Sequence, residues 1–181
     1  MFALANMRDP SARATLREVA QASGGDREVR EEAIQWLGMR GSAEDLAWLR
    51  EIYPRLDSRE LKDKVLFAIS RQAGNERWLV DRALDTNESL ELRKQALFWA
   101  GQRKEVPLDQ LFALYDRVSD REMKEQLIYV YSRRSEPAAV DRMITIAKNE
   151  KDKSLRSTAV QWLGRSKDPR AIEFIMSLLE K

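Results

Sequence analysis

The chain has no cysteine and no histidine among its 181 residues. These two absences remove disulfides, thiolate nucleophiles, histidine general bases and zinc sites built from either residue. A cysteine-free chain also tolerates an oxidising or a reducing compartment equally well. Turn formers are scarce. Five prolines and seven glycines leave little material for the tight turns of a β-rich fold. No run approaches the ~18 apolar residues that a membrane-spanning helix needs. The opening Met1-Phe2-Ala3-Leu4-Ala5-Asn6 has neither the charged region nor the long apolar stretch of a secretory signal. Net charge is also small, with 32 basic residues against 30 acidic ones. That balance argues against a dedicated nucleic-acid binder unless the charges are sorted in space.

What the chain does have is apolar and charged residues in quantity, 43% and 34%. This is too apolar for a disordered chain and charge-rich in the manner of a helical array. The apolar residues repeat. Five segments carry one pattern: Val29, Ala33, Trp36, Leu37, Gly38; Leu61, Val65, Ala68, Ile69, Ser70; Leu92, Ala96, Trp99, Ala100, Gly101; Met123, Leu127, Val130, Tyr131, Ser132; and Leu155, Ala159, Trp162, Leu163, Gly164. Their starts are spaced 32, 31, 31 and 32 residues apart. Within each, apolar residues at i, i+4, i+7 and i+8 define one helix face. The small residue at i+9 permits close approach of a neighbour or an end to the helix. Three residues before each start stands Asp26, Ser58, Ser89, Asp120 or Asp152. Each is a good N-cap type, because its short side chain accepts from the free amides of the first turn.

A second helix follows each of these. Glu136-Pro137 and Asp168-Pro169 read as two starts, with proline at the first helical position, and Ser42 is the equivalent cap in the first full repeat. The sets Leu46, Leu49, Ile52; Leu111, Leu114, Tyr115; Val140, Met143, Ile144, Ala147; and Ile172, Ile175, Leu178, Leu179 keep helical spacing. Two helices in about 31 residues cannot bury their own apolar faces, so each pair must stack on its neighbours. The fold class that follows is all-α.

The pattern V-R-x-x-A-x-x-W/A-L-G resembles the HEAT-repeat (armadillo-like) family, in the short bacterial form also found in phycobilisome-lyase-type repeats. The resemblance covers roughly residues 26 to 181 and implies a right-handed superhelix of about five helical hairpins. It also implies that the helix bearing the V-R motif lines the inner, concave side. In such repeats the basic residue after the first position (here Arg30, Lys62, Arg93, Lys124 and Arg156) pairs with an acid closing the preceding outer helix. Asp85 and Asp116 stand eight residues before Arg93 and Lys124, but Ala22, Pro54 and Lys148 occupy the other three places. The family's ladder is therefore expected to be interrupted. Leu4 to Pro10 matches Leu163 to Pro169, so the chain is expected to start inside a sixth repeat and to be a piece of a longer protein. No linker divides residues 1–181, which read as one array. An interrupted end repeat would expose Phe2, Leu4 and Leu16.

Three features bear on function. Trp36, Trp99 and Trp162 share one repeat position, and they serve either as an aromatic ledge for a ligand or as wedges between stacked helices. The preceding position holds Gln35, Phe67, Phe98, Tyr129 and Gln161. Helices of one layer lie about 8–10 Å apart, which makes Phe67, Phe98 and Tyr129 a continuous stripe unless superhelix twist tucks the rings between helices. The charges are also sorted. Glu28, Glu31, Glu32, Glu60, Asp63, Glu88, Glu91, Asp120, Glu122 and Glu125 lie at helix starts; Arg40, Arg71, Arg103, Lys104, Arg133, Arg134, Arg165 and Lys167 lie at helix ends. Helix dipoles favour this sorting by themselves. It also predicts a groove with one negative and one positive rim, fitting a partner in one orientation.

The expected function is a non-catalytic scaffold that holds a protein or peptide on the concave face, with no cofactor and no metal. The expected contacts are Phe67, Phe98, Tyr129, Trp36, Trp99, Trp162, Arg71, Arg133 and Arg165. The alternatives are nucleic-acid binding through the basic rim, a structural spacer, and, further off, an enzyme of the DNA-glycosylase or bilin-lyase type found on HEAT-like folds. No isolated acid stands among the aromatics to support the last. Asn87-Glu88-Ser89 is a formal glycosylation sequon, and Ser89 already has a use as a cap.

Overall fold

Period and caps become eleven α-helices and one 3-10 turn in the computed structural model, which describes residues 10–39 and 42–180. The helices are α1 (Pro10–Gln21), α2 (Arg27–Met39), α3 (Ala43–Ile52), α4 (Arg59–Ser70), α5 (Glu76–Leu84), α6 (Leu90–Gly101), α7 (Leu108–Arg117), α8 (Arg121–Ser132), α9 (Pro137–Asn149), α10 (Lys153–Leu163) and α11 (Pro169–Leu179). The 3-10 turn is Tyr53–Arg55. No strand occurs among the described residues. None of the described helices is long and apolar enough to cross a membrane. The partial first repeat up to Asp9, with Phe2 and Leu4, and Arg40 of the basic set lie outside the described residues. Leu16, expected at an open end, is buried on α1, which packs against α2.

The helices form two compact units, Met1–Asp81 and Arg82–Lys181. In the first, α2 packs on α1, α3 and α4. In the second, the first helices of successive repeats (α6, α8, α10) lie side by side, and the second helices (α7, α9, α11) form a layer against them. This is α-solenoid stacking.

Caps behave as their chemistry dictates, with one exception. The Ser58 and Ser89 hydroxyls accept from the amides of Leu61 and Leu92 at 3.2 and 3.4 Å. Asp26 accepts from Glu28 and Val29, and Asp152 from Ser154 and Leu155. Ser42 accepts from Asp45 at 3.1 Å. Asp120 makes no side-chain cap. Its carboxylate is engaged 3.0 Å from the Arg93 guanidinium instead, a charge-assisted contact that outcompetes a neutral amide.

The buried face is wider than the repeated pattern. Positions i+4 and i+8 are buried in all five repeats, and so is i+5 in the first four: Ile34, Leu66, Leu97 and Ile128. At position i, Leu61, Leu92, Met123 and Leu155 are buried, but Val29 is 41% exposed.

The alternation at i+7 has a packing cause. A Cβ added to Gly38 would press on Ala68, lying 3.0 Å from its Cα. A Cβ on Gly101 would lie 2.6 Å from Val130 Cγ2. Each glycine is thus filled by the small i+7 residue of the next repeat. Gly164, in the last repeat, meets only ordinary contacts. The tryptophan repeats are the glycine repeats, and the serine repeats carry alanine or valine at i+7. The backbones of α2 and α4, and of α6 and α8, therefore approach closely, which only glycine allows here.

The arginine ladder also differs from the family's arrangement. Arg30 and Arg93 are only 5% and 7% exposed. Each reaches in two directions. Nε donates back to the last turn of the preceding second helix, Ala20 O at 3.3 Å and Ala83 O at 3.2 Å. Nη1 reaches forward, to Asp57 at 2.9 Å and Asp120 at 3.0 Å. Lys124 lies 3.7 Å from Glu150, also forward. Asp85 and Asp116, the acids expected to pair backward, are bound to Arg82 and Arg142. The carbonyls ending a helix lack intrahelical partners, so they take the place of the family's acid.

Candidate partner-binding face

The aromatic line forms on the first-helix layer of the second unit. Phe98 on α6 and Tyr129 on α8 share the i+6 position, and side-by-side packing stacks their rings at 6.1 Å with planes 16° apart. Tyr129 then meets Trp162 of α10 at 5.2 Å and 54°. Trp99 lies edge-on to Phe98 at 4.8 Å. All four rings are half-buried. The tryptophans are therefore neither core wedges nor free ledges, and each keeps part of its ring toward solvent. Between α6 and α8 an open groove of about 340 Å³ is lined by Glu91, Lys94, Gln95, Phe98, Gln126 and Tyr129.

The other expected contacts belong to the first unit. Phe67 is half-buried with the Arg71 guanidinium 5.7 Å from its ring. Trp36 is half-buried and donates Nε1 to Glu32 at 3.3 Å. The structure thus unites Phe98, Tyr129, Trp99 and Trp162, while Phe67, Arg71 and Trp36 belong to a separate compact unit.

The expected charge rims are unequal. Helix-start acids are heavily paired: Glu31 with Lys64 and Arg27, Asp120 with Arg93, Glu122 with Lys94, and Glu125 with Arg121. The helix-end cations Arg71, Lys104, Arg133, Arg165 and Lys167 have no carboxylate within ion-pair distance among the described residues. Opposite charges cancel at one end of the layer and accumulate at the other.

A second cavity, about 250 Å³, opens where α8 and α10 end. Its walls are Tyr131, Ser132, Arg133, Arg134, Val140, Met143, Trp162, Arg165 and Ser166. Here a serine, not a glycine, precedes the next repeat's tryptophan. Arg165 lies over the Trp162 ring at 5.0 Å, within cation–π range.

Arg134 has a different role from the one its place among helix-end cations suggested. It is 5% exposed at the side chain. Its Nη1 donates to the carbonyls of Arg103 and Val106 at 3.1 Å and of Gly101 at 3.4 Å. Its Nε and Nη2 form a fork onto Glu136, at 3.0 and 2.5 Å. It is a clamp on the α6–α7 turn. The sequence offers only a paired Arg133-Arg134 as signal, and nothing in it says which of the two turns inward.

The Arg134 hydrogen bonds hold the Glu136 carboxyl below the ordinary carboxylate range, against the opposing effect of burial and with help from backbone amides. A depressed folded pKa means that the ionised group stabilises the fold above its unfolded pKa, about 4.3. That contribution fades as pH falls through the lower folded value. Glu136→Gln is therefore expected to be less stable than the parent at pH 7, with the gap closing on acidification below the ordinary carboxylate range. Paired melting curves from pH 7 to pH 3 measure this. A gap that stays constant with pH would contradict the assignment.

Tyr131 and Tyr115 are pushed upward as acids, chiefly by burial. Tyr131 donates to the Leu111 carbonyl at 2.8 Å and Tyr115 to Glu150 at 2.9 Å. Both stay neutral hydrogen-bond donors, Tyr131 tying α8 to α7 and Tyr115 tying α7 to the turn after α9.

Comparison with known families places two matches on the chain. Residues 1–70 match the family described as HEAT repeats. Residues 155–181 match the family described as PBS lyase HEAT-like repeat. No curated protein matches the chain.

Proposed function

We propose that this chain, which belongs to the HEAT-repeat proteins, works by holding a segment of another protein against the first-helix layer of its second unit, without catalysing a reaction. The observation that carries this reading is the contiguous line Phe98–Tyr129–Trp162, partly exposed on the first helices of three successive repeats. Exposed aromatic surface is costly in water unless a partner covers it, and rigid aromatics deliver large contact area at low entropic cost. The groove beside the line is bordered by the Lys94–Glu122 pair and two glutamines, Gln95 and Gln126, which suit the polar edge of such a contact.

Nucleic-acid binding is the second reading, and the helix-end cations Lys104, Arg133, Arg165 and Lys167 favour it. A nucleic-acid strand would need cations along its track. At their other ends the same helices carry Glu91 beside the neutralised pairs Lys94–Glu122 and Arg121–Glu125, so the cations do not continue along the track a polyanion would follow. A short segment needs no such track.

The test is capture from a lysate of the source cells by the intact chain and by a Phe98→Ser/Tyr129→Ser variant checked for folding by circular dichroism. Proteins retained by the first are expected to fall about tenfold or more on the second, since two aromatic anchors at an interface centre contribute on the order of 1.4 kcal/mol or more. An unchanged capture profile would remove the face as the binding site.

A further inference from the structure

We infer that the cavity at the ends of α8 and α10 receives a carboxylate from the segment bound along the aromatic line. This rests on the reading above and adds the partner's chemistry to it. Three observations lead there. Trp162 belongs both to the aromatic line and to the cavity wall, so a segment crossing Tyr129 and Trp162 arrives at the cavity without a break. Two cations at the cavity, Arg133 and Arg165, have no carboxylate partner among the described residues, whereas the third, Arg134, is saturated by Glu136 and three carbonyls. Val140 and Met143 add an apolar wall beside the two guanidiniums, against which the hydrocarbon part of a bound side chain can pack.

The helix dipole alone explains a cation at each helix end. It does not explain a hollow beside two of them. The helix-end carbonyls are not the cations' partners either. Val130, Tyr131, Trp162 and Leu163 carbonyls accept from the backbone amides of Arg133, Arg134, Arg165 and Ser166. Arg133 and Arg165 are exposed at the cavity, and neither guanidinium has a hydrogen-bond acceptor among the described residues. A carboxylate matches the planar fork of arginine two bonds at a time. It also offsets part of the charge that the two guanidiniums place at the cavity.

The carboxylate can be an aspartate or glutamate side chain or the carboxyl terminus of the partner chain. Both present the same group. The experiment is an array of random twelve-residue peptides, each synthesised as free acid and as amide, probed with the intact chain, with Arg133→Ala/Arg165→Ala, with Phe98→Ser/Tyr129→Ser, and with the charge-matched control Lys151→Ala/Lys153→Ala. Peptides bound by the intact chain and by the lysine control are expected to be enriched severalfold in Asp or Glu near an aromatic or large aliphatic residue. The arginine pair is expected to weaken them about tenfold, the value of one lost charge-assisted pair. Preference for free acids over amides assigns the carboxyl terminus, and equal binding of both assigns the side chain. If bound peptides depend on Phe98 and Tyr129 but show no acidic preference, the cavity inference falls and the aromatic face stands. If no peptide depends on either pair, both fall. An arginine-dependent gain for single-stranded DNA on the same array, with none for acidic peptides, would overturn the inference in favour of a nucleic-acid site.

Discussion

Replacing Gly101 by alanine is expected to lower stability by about 2 kcal/mol, although alanine is ordinarily the better helix former by about 1 kcal/mol. The position lies at the end of α6, where the backbone meets the Val130 side chain of α8. A new Cβ there would sit 2.6 Å from Val130 Cγ2 and 3.1 Å from its Cβ. Val130 is fully buried and so has no solvent to move into. In a chain of this size such a loss shifts the melting temperature by roughly 4–8 °C. Two companions make the result diagnostic. Val130→Ala removes the clashing methyls, so the double variant is expected to recover part of the loss, with a coupling above about 0.5 kcal/mol. Gly164→Ala, at the same repeat position in the last repeat, meets nothing closer than 3.4 Å. It is expected to be neutral or mildly stabilising. If Gly101→Ala and Gly164→Ala responded alike, close helix approach would not be the reason for glycine in this pattern.

Arg134→Ala is expected to cost on the order of 3 kcal/mol. The residue satisfies three carbonyls of one turn and a forked carboxylate. Leaving buried acceptors unpaired costs about 1–3 kcal/mol, offset where water can enter the space vacated. The damage is expected to be local. Amide hydrogen exchange should accelerate most over residues 101–107 and around Glu136, and least in α10 and α11. Arg134→Lys is expected to recover only part of the loss, because a single ammonium cannot serve the turn and the fork together. An Arg134→Ala protein that melts with the parent, or one whose exchange rises evenly throughout, would show that the turn holds itself.

These two residues illustrate different kinds of legibility. Gly101 could be singled out from the sequence because glycine or serine recurs at i+9 with a large or small residue alternating at i+7. The partner across the interface, Val130, follows once successive first helices are known to pack in register. Arg134 could not be singled out. It is one of eight helix-end cations, adjacent to Arg133, and its neighbours in the fold are carbonyl oxygens that leave no mark in a sequence. The same holds for the arginine ladder. Arg30 and Arg93 were recognisable as structural, but their acids lie forward, at Asp57 and Asp120, and not eight residues back.

The candidate site divides in the same way. That Phe98 and Tyr129 stack follows from a shared repeat position, and their 6.1 Å ring separation is shorter than the spacing of about 8–10 Å between helix axes because the rings lean together. That the line continues to Trp162, one residue along in the repeat, does not follow from position. It depends on how far α10 is rotated relative to α8. The cavity is less legible still, since its walls come from α8, α9, α10 and the turns after them.

Apart from Val29 on α2 and the set Ile172, Leu178 and Leu179 on α11, which are exposed while Ala171 and Phe174 are buried, which residues are helical, where the helices begin and which face is buried were determined by the sequence alone. Each follows from an arrangement repeated within a turn or two, where the 3.6-residue period and the capping bonds act locally. The partners of the arginines, the half-burial of the three tryptophans and the hollow behind Trp162 were decided only by the tertiary structure. They depend on angles and offsets between helices of separate repeats, and a long side chain at a helix end can reach several acceptors until packing leaves it one.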